Sequence, residues 1–260
     1  MKPGRPSITA RIVALERASL DRPTIPTGSA EDEARLYRSL GRVPILVRSP
    51  SGQTRMAHRT RFVDQAVLGA LDGGVRQIVI VGAGYDARAL RFATPGVRWF
   101  EVDHPATQPD KRRRVEALGV DTAPIGFVTH DLLRGALDDV LRHNGFADES
   151  ALFVVEGVLT YLPRPAAADV LRSLRQLATP ASRLVATIGL KPTTPAGRLA
   201  HRVRALAVAS FGEPWVTRFE MDEAVNLFAA AGWEPVKLPD GRPGRLAGKH
   251  GLLFLGEPMP

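Results

Sequence analysis

Apolar positions near the start of the chain recur at helical spacing. In ITARIVALERASL, residues Ile8, Ile12, Val13 and Leu15 lay one apolar stripe on an α-helix. DRPTIPTGS, with two prolines and a glycine, breaks it. A second short helix is expected over Glu31 to Leu40, and VPILVRSPSG reads as extended and ending in a turn. RTRFVDQAVLGAL, 59–71, reads as an amphipathic helix stopped by Gly73 and Gly74. From Gln77 the period changes. Short apolar runs at Gln77 to Val81, Val97 to Val102, Gly126 to Thr129, Ala151 to Glu156 and Arg183 to Ile188 alternate with helical stretches near 86–93, 105–118, 132–143 and 165–178. Apolar runs joined by helical crossovers predict a parallel sheet covered on both faces. Two more helices, near 196–210 and 220–231, precede strands at Trp233 to Leu238 and Gly251 to Leu255. The turn-rich link PDGRPGRLAG suits a closing antiparallel pair. The expected fold is α/β: a doubly wound, mostly parallel, seven-stranded Rossmann-like sheet with an antiparallel C-terminal strand and a helical N-terminal extension. No repeat or low-complexity linker divides it. One domain is expected, with a helical cap over 1–58, a core over 59–190, and flanking helices and closing strands over 191–260.

Composition narrows the chemistry. The 260 residues are 44% hydrophobic and 24% charged, ordinary for a globular chain that buries its core without staples. The absence of cysteine excludes disulfides, thiolate metal sites and a cysteine nucleophile, and fits a cytoplasmic protein. No signal-peptide pattern and no long uncharged apolar window occur, so neither export nor a membrane span is expected. The net charge of +8 comes from 35 Lys and Arg spread along the chain. The dense run DKRRRV, 110–115, reads as a solvated helix face. Few aromatics accompany it, so a small molecule is favoured over nucleic acid. No HExxH or clustered ligand spacing points to a metal, and no GxSxG elbow points to a serine hydrolase.

VGAGYDARALRF, 81–92, follows the run QIVI. A strand entering a glycine turn and then a helix is a nucleotide-binding geometry. Gly82 permits the turn, Gly84 allows close approach, Ala83 lies between them, and Ala87 fills the small third position. An acid about twenty residues on would bind ribose hydroxyls, and RWFEVDHP offers both Glu101 and Asp103. Asp86 bears on the choice of cofactor. A carboxylate within about 4 Å would repel each charge of a pyrophosphate by roughly 1–4 kcal/mol. S-adenosyl-L-methionine has no phosphate and brings an ammonium and a sulfonium. The alternative reading of Asp86 is a helix cap.

Other residues fit the same crevice. Asp131, after the strand in FVTHDLL, is placed to meet an adenine amine or to cap a helix. Glu156 ends the apolar run LFVVE at the carboxyl end of a central strand. Arg59 and Arg61 are offset by two and cannot both face the site from one helix; one of them would clamp a carboxylate.

QIVIVGAGYDARALR, WFEVDHP, HDL and VVEGVLTYLP together resemble the leucine carboxyl methyltransferase family, and most closely its bacterial branch of S-adenosylmethionine-dependent enzymes; HRTRFVDQAV resembles that family's helix ahead of the core. The likeness covers about 55–190. It implies a class I methyltransferase core over 59–190, with Arg59 holding the cofactor carboxylate and Gly82 under the methionine part. It further implies Asp103 at the ribose, Asp131 and Leu132 beside the adenine, and Glu156 near the amino-acid end. The N-terminal segment departs from eukaryotic members, which implies a small-molecule acceptor, a carboxylate or hydroxyl on a polyketide-like metabolite of secondary metabolism, in place of a protein C-terminus.

Methyl transfer needs acceptor, carbon and sulfur in line, and a carboxylate acceptor needs no base. His58, His104 and His130 flank the motifs, and His143, His201 and His250 do not; no catalytic base is assigned. Tyr161, Trp215 and Arg218, with Phe211, are the candidates for the acceptor side. Two rivals remain at this level: an NAD(P)-dependent oxidoreductase, and a non-catalytic S-adenosylmethionine-binding protein. The sequence does not set the oligomeric state.

Overall fold

The computed structural model describes residues 5–41, 50–237, 243–248 and 251–259. Three helices come first: α1 (Ile8–Arg17), α2 (Ala30–Ser39) and α3 (Pro50–Asp72). Ser7 and Ser29 cap the first two, each accepting a backbone N–H with its hydroxyl. The alternation then runs β1 (Gln77–Val81), α4 (Arg88–Arg91), β2 (Arg98–Asp103), α5 (Gln108–Glu116), β3 (Ile125–Thr129), α6 (Leu137–His143), β4 (Ala151–Val155), α7 (Arg164–Leu177) and β5 (Arg183–Ile188). It ends in α8 (Pro195–Ser210), α9 (Met221–Ala230), β6 (Trp233–Pro235), β7 (Arg245–Gly248) and β8 (Gly251–Pro258).

The strands form one sheet in the order β3-β2-β1-β4-β5-β8-β6, with β7 on β8. β1 pairs in parallel with β2 on one side and β4 on the other, and β8 runs antiparallel to β5. Alternate residues of each strand feed opposite faces. Val79, Val81, Phe100 and Phe153 pack with Leu171 and Leu174 of α7. Ile78, Ile80, Trp99 and Leu152 pack with Val63 and Val67 of α3. The doubly wound, mostly parallel architecture is as expected, with its order reversing at β1 and β4. Both of those strands end facing the same crevice.

Four local expectations change. β7 forms inside the link read as turn-rich, because RLAG lies along the free edge of β8 and pairs with Gly251 to Phe254. The sheet therefore has eight strands. α3 begins at Pro50, nine residues ahead of the expected start, with proline in the first helical position. Pro50 to Gly52 are thus helical, while 43–49 of VPILVRSPSG, like Leu238 and His250, lie outside the described residues. The helix expected over 86–93 shrinks to α4, since Tyr85 to Ala87 belong to the glycine turn. DKRRRV is only half a solvated face: Lys111 is 1% exposed and pairs with buried Glu101 at 2.6 Å.

Candidate functional site

β1 delivers the chain into a tight turn. Gly82 and Gly84 adopt φ of 64° and 52°, the left-handed region that favours glycine. Ala83 N–H donates to Val102 C=O at 2.9 Å, and Asp86 N–H donates to Ala83 C=O at 2.7 Å. Little room surrounds the turn. A Cβ on Gly82 would meet Val158 Cγ2 at 2.3 Å, and one on Gly84 would meet Ala10 Cβ of α1 at 2.8 Å. Close approach to Gly84 is therefore made by the N-terminal helix, which lies over the glycine turn.

Because β1 sits between β2 and β4, the turn has an acid on each side. Asp103 ends β2 and accepts the N–H groups of Gly84 and, at 2.6 Å, His104. Burial pushes its carboxyl up, against those two bonds. Glu101 is taken by Lys111, which leaves Asp103 as the acid on the turn. Next to it, His130 N–H donates to Asp103 C=O at 2.8 Å. Asp131 is thereby brought beside β2, where it accepts Leu133 N–H at 3.1 Å. Leu132 packs partly buried on the core.

On the β4 side stands a buried ion network. Glu156 accepts from Arg59 Nε at 2.7 Å, Arg88 Nη1 at 2.7 Å and Arg17 Nη2 at 3.0 Å. Asp86 lies 3.2 Å from Arg17 Nη1 and is bonded to both the backbone and the guanidinium of Arg88. Arg88 reaches on to Asp64 of α3 at 2.7 Å. Asp64 pairs with Arg22, Arg22 with Glu33 of α2, and Glu33 with Arg91 of α4. Burial alone would raise the Glu156 carboxyl; Arg17, Arg88 and Arg59 outweigh it and hold it well below the usual range. Asp86 is lowered in the same way, with Arg88 and Arg17 overcoming burial. A pyrophosphate would therefore meet a carboxylate already neutralised by two arginines, and the repulsion argued from Asp86 no longer separates the cofactors. Arg61 is exposed, so of the two offset arginines Arg59 is the one that reaches Glu156.

Tyr161, Trp215 and Arg218 form a second group. Tyr161 OH accepts Trp215 Nε1–H at 3.3 Å, and the Arg218 guanidinium carbon lies 4.5 Å from the Trp215 ring centre. His201 stacks on the same ring at 5.2 Å. Arg218 Nη1 donates to Leu190 C=O at 2.9 Å, and among the described residues no carboxylate pairs with it. Burial, then Arg204 and Arg55, lower Arg218 to about 10. Burial, then Arg218 and Arg204, lower His201 as well. Phe211 caps the end of α8, and no contact joins it to this group among the described residues.

Three functional candidates escaped the sequence. Arg17 and Glu213 carry no local signal. Ser7 Oγ donates to Glu213 at 2.7 Å and Ile8 N–H at 2.8 Å, with Thr9 Oγ1 donating as well. Arg88 did have a signal, in that it stands two residues after Asp86 in the turn itself. Among the described residues no cluster suited to a metal occurs, and no helix is long and apolar enough to cross a membrane.

Comparison with known proteins assigns the family. Residues 33–175 match the leucine carboxyl methyltransferase family. A protein of Mycobacterium marinum named "putative S-adenosyl-L-methionine-dependent methyltransferase" is 30% identical over 251 residues, 86% of this chain and 81% of that protein. A namesake in Mycobacterium tuberculosis is 35% identical over 198 residues, 68% of this chain. The match spans 64% of the length of that relative. The crystal structure of a "putative methyltransferase" from Thermobifida fusca YX has the same fold, with a TM-score of 0.62 at 19% identity over 100% of this chain and 97% of the other. The chain belongs to the leucine carboxyl methyltransferase family.

Proposed function

We propose that this family member is an S-adenosylmethionine-dependent methyltransferase acting on a carboxylate or hydroxyl oxygen of a small-molecule acceptor. The pairing of Arg59 with Glu156 at the carboxyl end of β4 carries the reading. A cation and a carboxylate side by side, one strand from the glycine turn, suit the two charged groups of an amino acid. A dinucleotide presents no such end.

The residues fit the cofactor elsewhere too. Asp103 stands on the turn where ribose hydroxyls would seek an acceptor. Arg17 Nε and Arg88 Nη2 are buried without a hydrogen-bond partner. In this reading Gly82, Ala83 and Gly84 bear the methionine part, Asp86 fixes the arginines around it, and Asp131 with Leu132 borders the adenine. Residues 59–190 are the cofactor core, flanked by 1–58 and 191–260. Bound S-adenosylmethionine supplies an electrophilic methyl on a sulfonium. The chain holds it, aligns the acceptor oxygen at about 3–3.5 Å and excludes water. Tyr161, Trp215 and Arg218 face the acceptor. An acceptor carboxylate is ionised at neutral pH and needs no base.

Calorimetry with S-adenosylmethionine, S-adenosylhomocysteine, NAD and NADP tests the first half, and labelled methyl transfer to a panel of acidic and phenolic metabolites tests the second. Tight NAD or NADP binding without S-adenosylmethionine binding would replace the reading with an oxidoreductase. Cofactor binding with no transfer to any acceptor would leave a binding protein.

A further inference from the structure

Among the described residues, five large apolar side chains are more than half exposed: Leu133, Leu199, Val203, Leu206 and Val216. Three of them, Leu199 at 66%, Val203 at 61% and Leu206 at 73%, belong to α8. At about 100° per residue they fall within roughly 60° of one another, one stripe along the helix. Arg202 and Arg198 border that stripe on one side. Arg198 donates to Thr193 C=O at 3.0 Å, and among the described residues no carboxylate pairs with either arginine. α8 holds a third arginine, Arg204, and no acid; the chain has no Asp or Glu between Asp169 and Glu213. The opposite face of α8 packs on the body of the protein, through buried Val208 and through His201 on Trp215. The helix is thus held by its inner face and turns outward a surface both apolar and cationic.

We propose that this outer face of α8 binds an anionic lipid surface, with Leu199, Val203 and Leu206 against the acyl chains and Arg198 and Arg202 at the headgroups. Apolar area and positive charge add in that setting, and neither needs a shaped counterpart. A second copy of the chain suits the face less well. A two-fold pairing of α8 on α8 sets arginine against arginine, with no acid on the helix to meet it. A protein partner suits it less too: the stripe has no aromatic anchor, and leucine and valine are sparse among the side chains that dominate such interfaces. Docking would place the Trp215 group one helix diameter, about 10 Å, from the lipid. It requires no cofactor, and it stands or falls apart from the methyl-transfer reading.

Vesicle co-sedimentation tests this, with phosphatidylcholine alone and with about one third phosphatidylglycerol added. The expected result is binding to the anionic vesicles at least about fivefold tighter than to the neutral ones, and weakened by salt. Leu199→Gln with Leu206→Gln, and separately Arg198→Gln with Arg202→Gln, should each weaken it at least about fivefold. Arg61→Gln with Arg112→Gln removes the same charge from exposed positions on α3 and α5, and should weaken it less than about twofold. Losses no larger than in that control would reduce the effect to net charge and overturn the proposal, as would no binding to anionic vesicles. A dimer of the unchanged protein that Leu199→Gln with Leu206→Gln dissociates in analytical ultracentrifugation would give the stripe to a second copy and overturn it also. Should the α8 variants not fold, hydrogen exchange on the unchanged protein decides. Amides of residues 195–210 should gain protection with anionic vesicles; protection confined to other segments, or none, overturns the proposal.

Discussion

Arg59 Nε lies 2.7 Å from Glu156 Oε1, while Arg61, two residues further along α3, is exposed. Positions two apart on a helix are separated by roughly 200°, so the same element presents one arginine to the crevice and the other to solvent. Arg59→Ala should weaken S-adenosylmethionine by about 1–3 kcal/mol, the worth of hydrogen bonds between charged groups. Arg61→Ala should leave it unchanged. Calorimetry on the pair checks both, and a loss on the Arg61 side would misplace the site.

Asp103→Ala should behave differently from Arg59→Ala. It removes the acceptor of the Gly84 and His104 N–H groups and the proposed ribose contact. Affinity for S-adenosylhomocysteine and for 5′-methylthioadenosine, which lacks the amino-acid end, should fall together, by about 1–3 kcal/mol. Arg59→Ala should affect only the ligand with an amino-acid end. A Asp103 variant that still binds the nucleoside normally would remove that residue from the ribose site.

Arg218 lacks a carboxylate partner among the described residues and is lowered to about 10. A cation with a lowered value in the fold destabilises the fold below that value, and the penalty lifts as pH rises through about 10 towards the unfolded value. Arg218→Met should therefore fold with stability equal to the parent or up to about 1 kcal/mol higher. The same change should raise KM for acidic acceptors more than it lowers kcat. Urea denaturation and steady-state kinetics read the two effects separately. A strongly destabilised variant would mean that the Leu190 bond and the Trp215 contact outweigh the unpaired charge.

Glu156 titrates the network. Its folded value is depressed, so its contribution is complete above the ordinary carboxylate value of about 4.3 and is lost as pH falls through the folded value. The stability gap between the parent and Glu156→Gln should be constant from about pH 7 to pH 5 and narrow on further acidification. At neutral pH the gap should be about 3–5 kcal/mol, the loss expected when one partner leaves a buried pair. Denaturation curves across that pH range measure it, and a gap that widens in acid would reverse the assignment.

The sheet was readable because buried parallel strands are continuous apolar runs. Gln77 to Val81 and Arg183 to Ile188 stand as expected. RLAG was not readable, since its pairing depends on the edge of β8 and not on its own composition. In the site, glycine spacing marked the turn, and helix geometry alone required that only one of Arg59 and Arg61 face inward. Arg17 and Arg22 look like any surface arginine in sequence. Their burial follows from Glu156, Asp64 and Glu33, which are distant along the chain and meet them only in the fold.

At its start α1 is fastened to Glu213 by Ser7, Ile8 and Thr9; at its end Arg17 grips Asp86 and Glu156. A molecule leaving the glycine turn must either slip past this clasped rod or unfasten it. If it unfastens the rod, departure of the proposed cofactor and loosening of the 211–218 segment beside Tyr161 would be a single event.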